Sequence, residues 1–176
     1  SAVSAADTND TSDSAVQAVD DAPIEEVASE DVGALAATDD TDVLAAGDGN
    51  FTELQTSVDT GTVLMSKDYT RVEGENTISI TRDVTILGND HKIDGSNLGG
   101  IFNVNSGYTL TLMGVTLING NAENGGAIYN NGGTLTIVNS NFLNNTATKS
   151  GGAIYNNGGS ITVTGSTFDG NDLTDR

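Results

Sequence analysis

The chain has 176 residues, 25 of them acidic and 6 basic, for a formal net charge of −19, and it contains no cysteine or tryptophan. Phosphate backbones and anionic lipids are held by clustered Lys and Arg, so the composition argues against nucleic acid and equally against docking on an anionic membrane. It offers no disulfide framework or thiolate metal site, and no apolar run approaches the roughly 20 residues of a membrane span.

The charge is unevenly placed. Residues 1–49 hold 13 of the 25 acids and none of the bases. This region is Ala, Ser, Thr, Asp and Glu with scattered valines and no aromatic residue. It cannot bury enough surface to offset its ordering entropy, so 1–47 reads as a disordered, self-repelling tail within an acidic linker, 1–49. The opening "SAVSAAD" has no initiator Met and no signal-peptide h-region. It reads as a trimmed mature end, which points to secretion and an extracellular, cell-surface place.

Residues 50–176 suffice for one domain with a modest core. They begin with "NFTELQTSV", which puts Phe51, Leu54 and Val58 on one helical face and spaces Asn50 and Glu53 as a capping box. A short helix over about 50–59 is predicted, covering the strand edges of the first turn, with "TVLM" (62–65) as the first strand.

Downstream the chain repeats itself. "GGAIYNNGG" occurs at 125–133 and again at 151–159, and the units 125–150 and 151–176 are identical at 14 of 26 positions. A looser copy, 99–124, opens "GGIFNVNSG", and an older one lies in "ISITRDVTILGNDHKIDG", giving a first repeat over about 78–98. Units of this length signal an array whose members bury a face only against their neighbours. Each holds short stretches of alternating β-branched residues broken by Gly and Asn, such as "LTIV", "ITVT" and "LTLM". In the unit 125–150 three strands are expected, around Ala127–Asn130, Leu135–Val138 and Asn141–Leu143. The prediction is an all-β, single-stranded parallel β-helix of four to five short triangular rungs. Residues one period apart then form ladders about 4.8 Å apart.

The ladders follow from the alignment. Leu117, Phe142 and Phe168 form one apolar stack; Leu110/Leu112, Leu135/Ile137 and Ile161/Val163 line another interior face. Gly125–Gly126 and Gly151–Gly152 mark a corner needing positive φ or close backbone approach. Asn145 and Asn171, three residues after each Phe, form an amide ladder at a turn.

"GGAIYNN" followed by "FLNN" and "FDGN" resembles the GGA[ILV]/FxxN repeats of chlamydial polymorphic outer-membrane proteins. It resembles more closely the repeats of adhesin-like surface proteins of methanogenic archaea, which share an "F-x-x-L-Q" cap and an "ITI-x-G-N-x-H-x-I-D-G" rung. The resemblance covers about 50–176 and implies a right-handed helix and an adhesin-like role. Such proteins commonly carry many more rungs and a wall-anchoring part.

Parallel β-helices also house polysaccharide lyases and hydrolases, which need paired carboxylates, or acids binding Ca²⁺ beside a base. The best cluster is Asp90, His91, Lys92 and Asp94; its plain reading is a polar turn with Ile93 pointing inward. "DGND" (169–172) and "GDGN" (47–50) read as turns, not Ca²⁺ loops. No catalytic residue, metal or cofactor is assigned. Tyr129 and Tyr155, one period apart beside Asn130, Asn131, Asn156 and Asn157, form the candidate binding surface. If Ile128 and Ile154 point inward, the tyrosines stack outward in an aromatic ladder suited to sugar rings. If Ala127 and Tyr129 are the inward pair, tyrosine is core. The sequons at Asn9, Asn50 and Asn144 are glycosylation candidates.

The expected function is non-enzymatic attachment or display at a cell surface, with a glycan or another surface ligand as partner and no nucleic acid or membrane insertion. One alternative is a filament subunit that self-associates end to end through the C-terminal rung, which carries no capping helix. A second is a fragment of a pectate-lyase-like, polysaccharide-active enzyme.

Overall fold

The computed structural model describes residues 24–25 and 48–174, the two residues of the first strand by their backbone alone. The chain winds as a parallel β-solenoid of about four turns. One sheet takes β3 (Thr62–Leu64), β6 (Val84–Leu87), β9 (Thr109–Met113), β13 (Thr134–Val138) and β17 (Ser160–Thr164) in that order. A second takes β2 (Gly49–Asn50), β4 (Tyr69–Thr70), β7 (Lys92–Asp94), β10 (Thr116–Ile118), β14 (Asn141–Leu143) and β18 (Thr167–Asp169). A third takes β5 (Ile78–Ile80), β8 (Phe102–Asn105), β12 (Ile128–Asn131) and β16 (Ile154–Asn156).

The alternating sequence sets which side chains go inward. In the first sheet Val63, Ile86, Leu112, Ile137 and Val163 lie in one register column, with Val84, Leu110, Leu135 and Ile161 in another. In the second sheet the inward column is Tyr69, Ile93, Leu117, Phe142 and Phe168, all fully buried. The rings of Phe142 and Phe168 stack with centroids 4.7 Å apart and planes 3° from parallel. The predicted apolar ladders are therefore the core.

The rungs are not triangular throughout. From Asn121 onward each turn carries another strand, β11 (Asn121–Asn124), β15 (Thr146–Ser150) and β19 (Asp172–Leu173), forming a fourth, three-stranded sheet. The sequence "TATKS" shows one inward residue, Ala147, amid polar neighbours, too weak an alternation to read as a strand. The slip between a 25- and a 26-residue period also resolves. The turn after Asn105 is one residue longer than the turn after Asn131, since Asn131 pairs with Asn105 but Thr134 with Thr109. A bulge opposite Ala122–Asn124 returns the residue within β15.

Two devices make the corners. Gly125 and Gly151 take φ of +69° and +66°, and a Cβ on either would collide with the carbonyl of Ile128 or Ile154. Asn145 and Asn171 are fully buried. Asn145 accepts from Gly120 N–H (2.8 Å), donates to the Leu117 carbonyl (3.1 Å) and donates to Asn171 Oδ1 (2.9 Å). The amide ladder thus satisfies backbone groups that the bend takes off the strand ladder.

The helix α1 (Phe51–Val58) buries Phe51, Leu54 and Val58 as expected. Asn50 Oδ1 accepts from Glu53 N–H at 2.9 Å, half of the expected capping box. The other half is replaced. The Glu53 carboxylate pairs at 3.0 Å with Lys67, whose ammonium needs a countercharge because that residue is buried. Glu75, 24 residues from Phe51, instead accepts the N–H groups of Phe51 (3.0 Å), Thr52 (2.7 Å) and Val72 (2.8 Å) and the Thr52 hydroxyl (2.7 Å). Gln55 covers the edge of β5, donating to the Ser79 carbonyl and accepting its N–H.

At the far end β1 (Ile24–Glu25) pairs in parallel with β17, Ile24 opposite Ile161 and Glu25 opposite Thr162. Those two residues of the expected disordered tail therefore form a strand. Unpaired groups along β17 supply the bonds that the tail's composition cannot. The rest of 1–47 lies outside the described residues.

Truncating Phe142, enclosed between Leu117 and Phe168, with Phe142→Ala should destabilise the fold by about 3–5 kcal/mol in urea unfolding. Burial alone would raise the Glu75 pKa, but the hydrogen bonds from Thr52, Val72 and Phe51 outweigh it and hold the carboxyl below its ordinary value. A depressed folded pKa stabilises the fold above the unfolded pKa, and that stability is lost as pH falls through the folded value. Glu75→Gln should cost about 1 kcal/mol at neutral pH and flatten the acid limb of a plot of urea midpoint against pH.

Candidate functional site

On the third sheet Ile128 pairs with Ile154 and Tyr129 with Tyr155, and both isoleucines are fully buried. The alternation turns both tyrosines outward, where they are half-buried, with ring centroids 5.5 Å apart and planes 26° apart. Ala127 and Ala153 are buried as well, just before the isoleucines, because the Gly-Gly corner carries them inward. The aromatic ladder is two rings tall. Asn103 and then Ser79 hold the same column in the turns before it.

The amides beside the tyrosines divide between two jobs. Asn131 and Asn157 are exposed, and Asn157 Nδ2 donates to Asn131 Oδ1 at 3.1 Å and to the Tyr129 hydroxyl at 3.3 Å. They extend the ring surface with oriented donors and acceptors. Asn130 and Asn156, expected on the binding surface, are instead fully buried. They stand two residues past an inward isoleucine and continue the inward column of Ile80 and Val104. Asn130 bonds both the N–H and the carbonyl of Gly133, at 3.1 and 3.0 Å, and reaches Asn156 Oδ1 at 2.6 Å. The two-residue alternation was the signal that could have placed them inside.

The Asp90–Asp94 cluster is spread along a turn and a strand. Asn89 and Asp90 both adopt positive φ, and Ile93 is core. His91 Nδ1 lies 3.1 Å from Asp68 Oδ1, which also accepts the Lys92 N–H at 3.1 Å. Burial pushes the Asp68 carboxyl up, but those bonds and the neighbouring His91 and Lys92 outweigh it and hold it low. Asp94 accepts from Ser96 N–H (2.8 Å) and from Asn119 Nδ2 (3.1 Å). Asp68 was not singled out in the sequence, although it lies one rung period from His91 and Lys92. Among the described residues no group of three or more His, Cys, Asp or Glu is placed to hold a metal.

Of the sequons, Asn144 is exposed in a positive-φ turn, whereas Asn50 caps α1 with its side-chain oxygen. Asn9 lies outside the described residues. No helix among the described residues is long and apolar enough to cross a membrane.

Fold and ladders together define a β-solenoid repeat protein. Residues 139–157, running from the β13–β14 corner through the second Gly-Gly corner and β16, match the family described as the Chlamydia polymorphic membrane protein (Chlamydia_PMP) repeat. No curated protein and no solved structure matches the chain.

If the buried amides anchor the strand beneath the tyrosines, Asn130→Ala should destabilise the fold by about 1–3 kcal/mol in thermal or urea unfolding. The substitution leaves the N–H of Gly133 without its partner, while the carbonyl keeps the Ser160 N–H at 3.0 Å.

Proposed function

We propose that the chain is an adhesin-like surface module that attaches by binding glycan on the Tyr129/Tyr155 ladder, without catalysis. The observation that carries this reading is a pair of outward, stacked aromatic rings bordered by the exposed amides Asn131 and Asn157. A sugar presents an apolar ring face and a rim of hydroxyls, which such a surface matches in both respects. The match of residues 139–157 to a polymorphic membrane protein repeat supports a place at the cell surface. Exposed Asn144 is the sequon best placed to carry a glycan of its own.

A second reading, self-association, is favoured by one observation. The edge of β17 takes β1 as an added parallel strand, and the same edge has the backbone groups to take a strand from a second copy. Sedimentation at varied concentration tests it; mass that stays monomeric across the range would remove it.

The glycan reading is tested with an array of surface polysaccharides and oligosaccharides. Tyr129→Ala/Tyr155→Ala should weaken binding at least about tenfold while the unfolding curve and circular dichroism stay close to the parent's. Undiminished glycan binding by that folded double variant would refute it.

A further inference from the structure

The first sheet carries a feature that the tyrosine surface does not use. A cleft of about 480 Å³ lies on it, lined chiefly by Thr62, Arg82, Asp83, Thr85, Thr109 and Thr111. That is the size of a site for a small ligand, about 300–1,000 Å³. Thr62, Thr85 and Thr111 stand in one register column, outward because Val63, Ile86 and Leu112 beside them are core. The column continues through Thr136 and Thr162. Parallel pairing spaces these side chains by about 4.8 Å, and β-branching holds each to few rotamers.

The hydroxyls are chemically unspent. Those of Thr62, Thr85, Thr109 and Thr111 make no hydrogen bond to any described residue. The buried amide ladders behave in the opposite way, spending their groups on neighbouring backbone and on each other. The rim is also only partly used. Arg82 Nη1 donates to the Asp59 carbonyl at 2.6 Å, and Asp83 Oδ1 accepts the Thr109 N–H at 3.0 Å. The remaining guanidinium donors and the second carboxylate oxygen are left over. One cation and one anion give the lining no net charge, which disfavours a charged ligand, and no aromatic ring lines it.

We infer that this cleft is a second saccharide site, taking a neutral oligosaccharide laid along the solenoid axis. Its hydroxyls bond to Thr62, Thr85, Thr109 and Thr111, with Arg82 and Asp83 gripping it along one side. The site is on a different sheet from Tyr129 and Tyr155 and stands or falls separately from them.

The full chain is titrated with cellohexaose and maltohexaose as neutral probes and with oligogalacturonate as the acidic one. Amide chemical shifts and calorimetry follow binding. At least one neutral probe should shift the Thr85 and Thr111 amides. Thr85→Val/Thr111→Val, which removes two hydroxyls while keeping size and β-propensity, should weaken that binding at least tenfold with the melting temperature nearly unchanged. Tyr129→Ala/Tyr155→Ala should leave the Thr85 and Thr111 shifts in place even if it abolishes binding elsewhere. The inference is overturned if neither neutral probe moves those amides, if the valine variant binds like the parent, or if oligogalacturonate binds there more tightly than the neutral probes.

Discussion

Every strand from β2 to β19 pairs in parallel with the strand one turn away, so the nearest neighbour of most side chains is the residue at the same place in the next unit. This constraint governs the molecule. Apolar residues gain most from it. Phe142 and Phe168 lie flat on one another, and the column beneath them, Leu117, Ile93 and Tyr69, is closed to water. Charges gain least, since like charges directly opposite repel. The registers place Asp94 against Thr70 and Ile118, Asp169 against Leu143 and Asp172 against Thr146. In an acidic protein the strands are thereby kept free of stacked carboxylates.

Asparagine obeys the same rule with a polar currency. A side-chain amide both donates and accepts, so copies one rung apart can bond each other and still serve the backbone where the chain bends. Asn145 and Asn171 do this at one corner, Asn130 and Asn156 at another. The adjacent Asn131 and Asn157 are exposed. A single step along the strand separates a residue that holds the turn together from one that faces a partner.

The apolar ladders, the Gly-Gly corners and the capping helix were legible because each repeats at the rung period or follows a helical or two-residue alternation, whereas alternation alone left the tyrosines either outward or core. What escaped notice is instructive. The inward place of Asn130 contradicts its polarity, though alternation from Ile128 requires it. The fourth strand is hidden because a corner strand with one buried alanine leaves almost no hydrophobic signature. Glu75 and Asp68 act on partners about one turn away in the most diverged rungs, where no repeat guides the eye. The two-residue strand β1 sits in a segment whose composition predicts no order; its bonds come from the edge it meets.

The bulge in β15 bears on how such a protein can change its length. A single inserted residue inside a strand would turn every later side chain of that strand from one face to the other. Here the turn after Asn131 is one residue shorter than the turn after Asn105, and the extra residue of β15 makes up the difference later in the same lap, so β16 keeps its register on β12. Duplicating or deleting a whole lap leaves each surviving side chain facing an equivalent partner. Gene copying in whole units is thus structurally silent, while small indels survive only at corners or in compensated pairs.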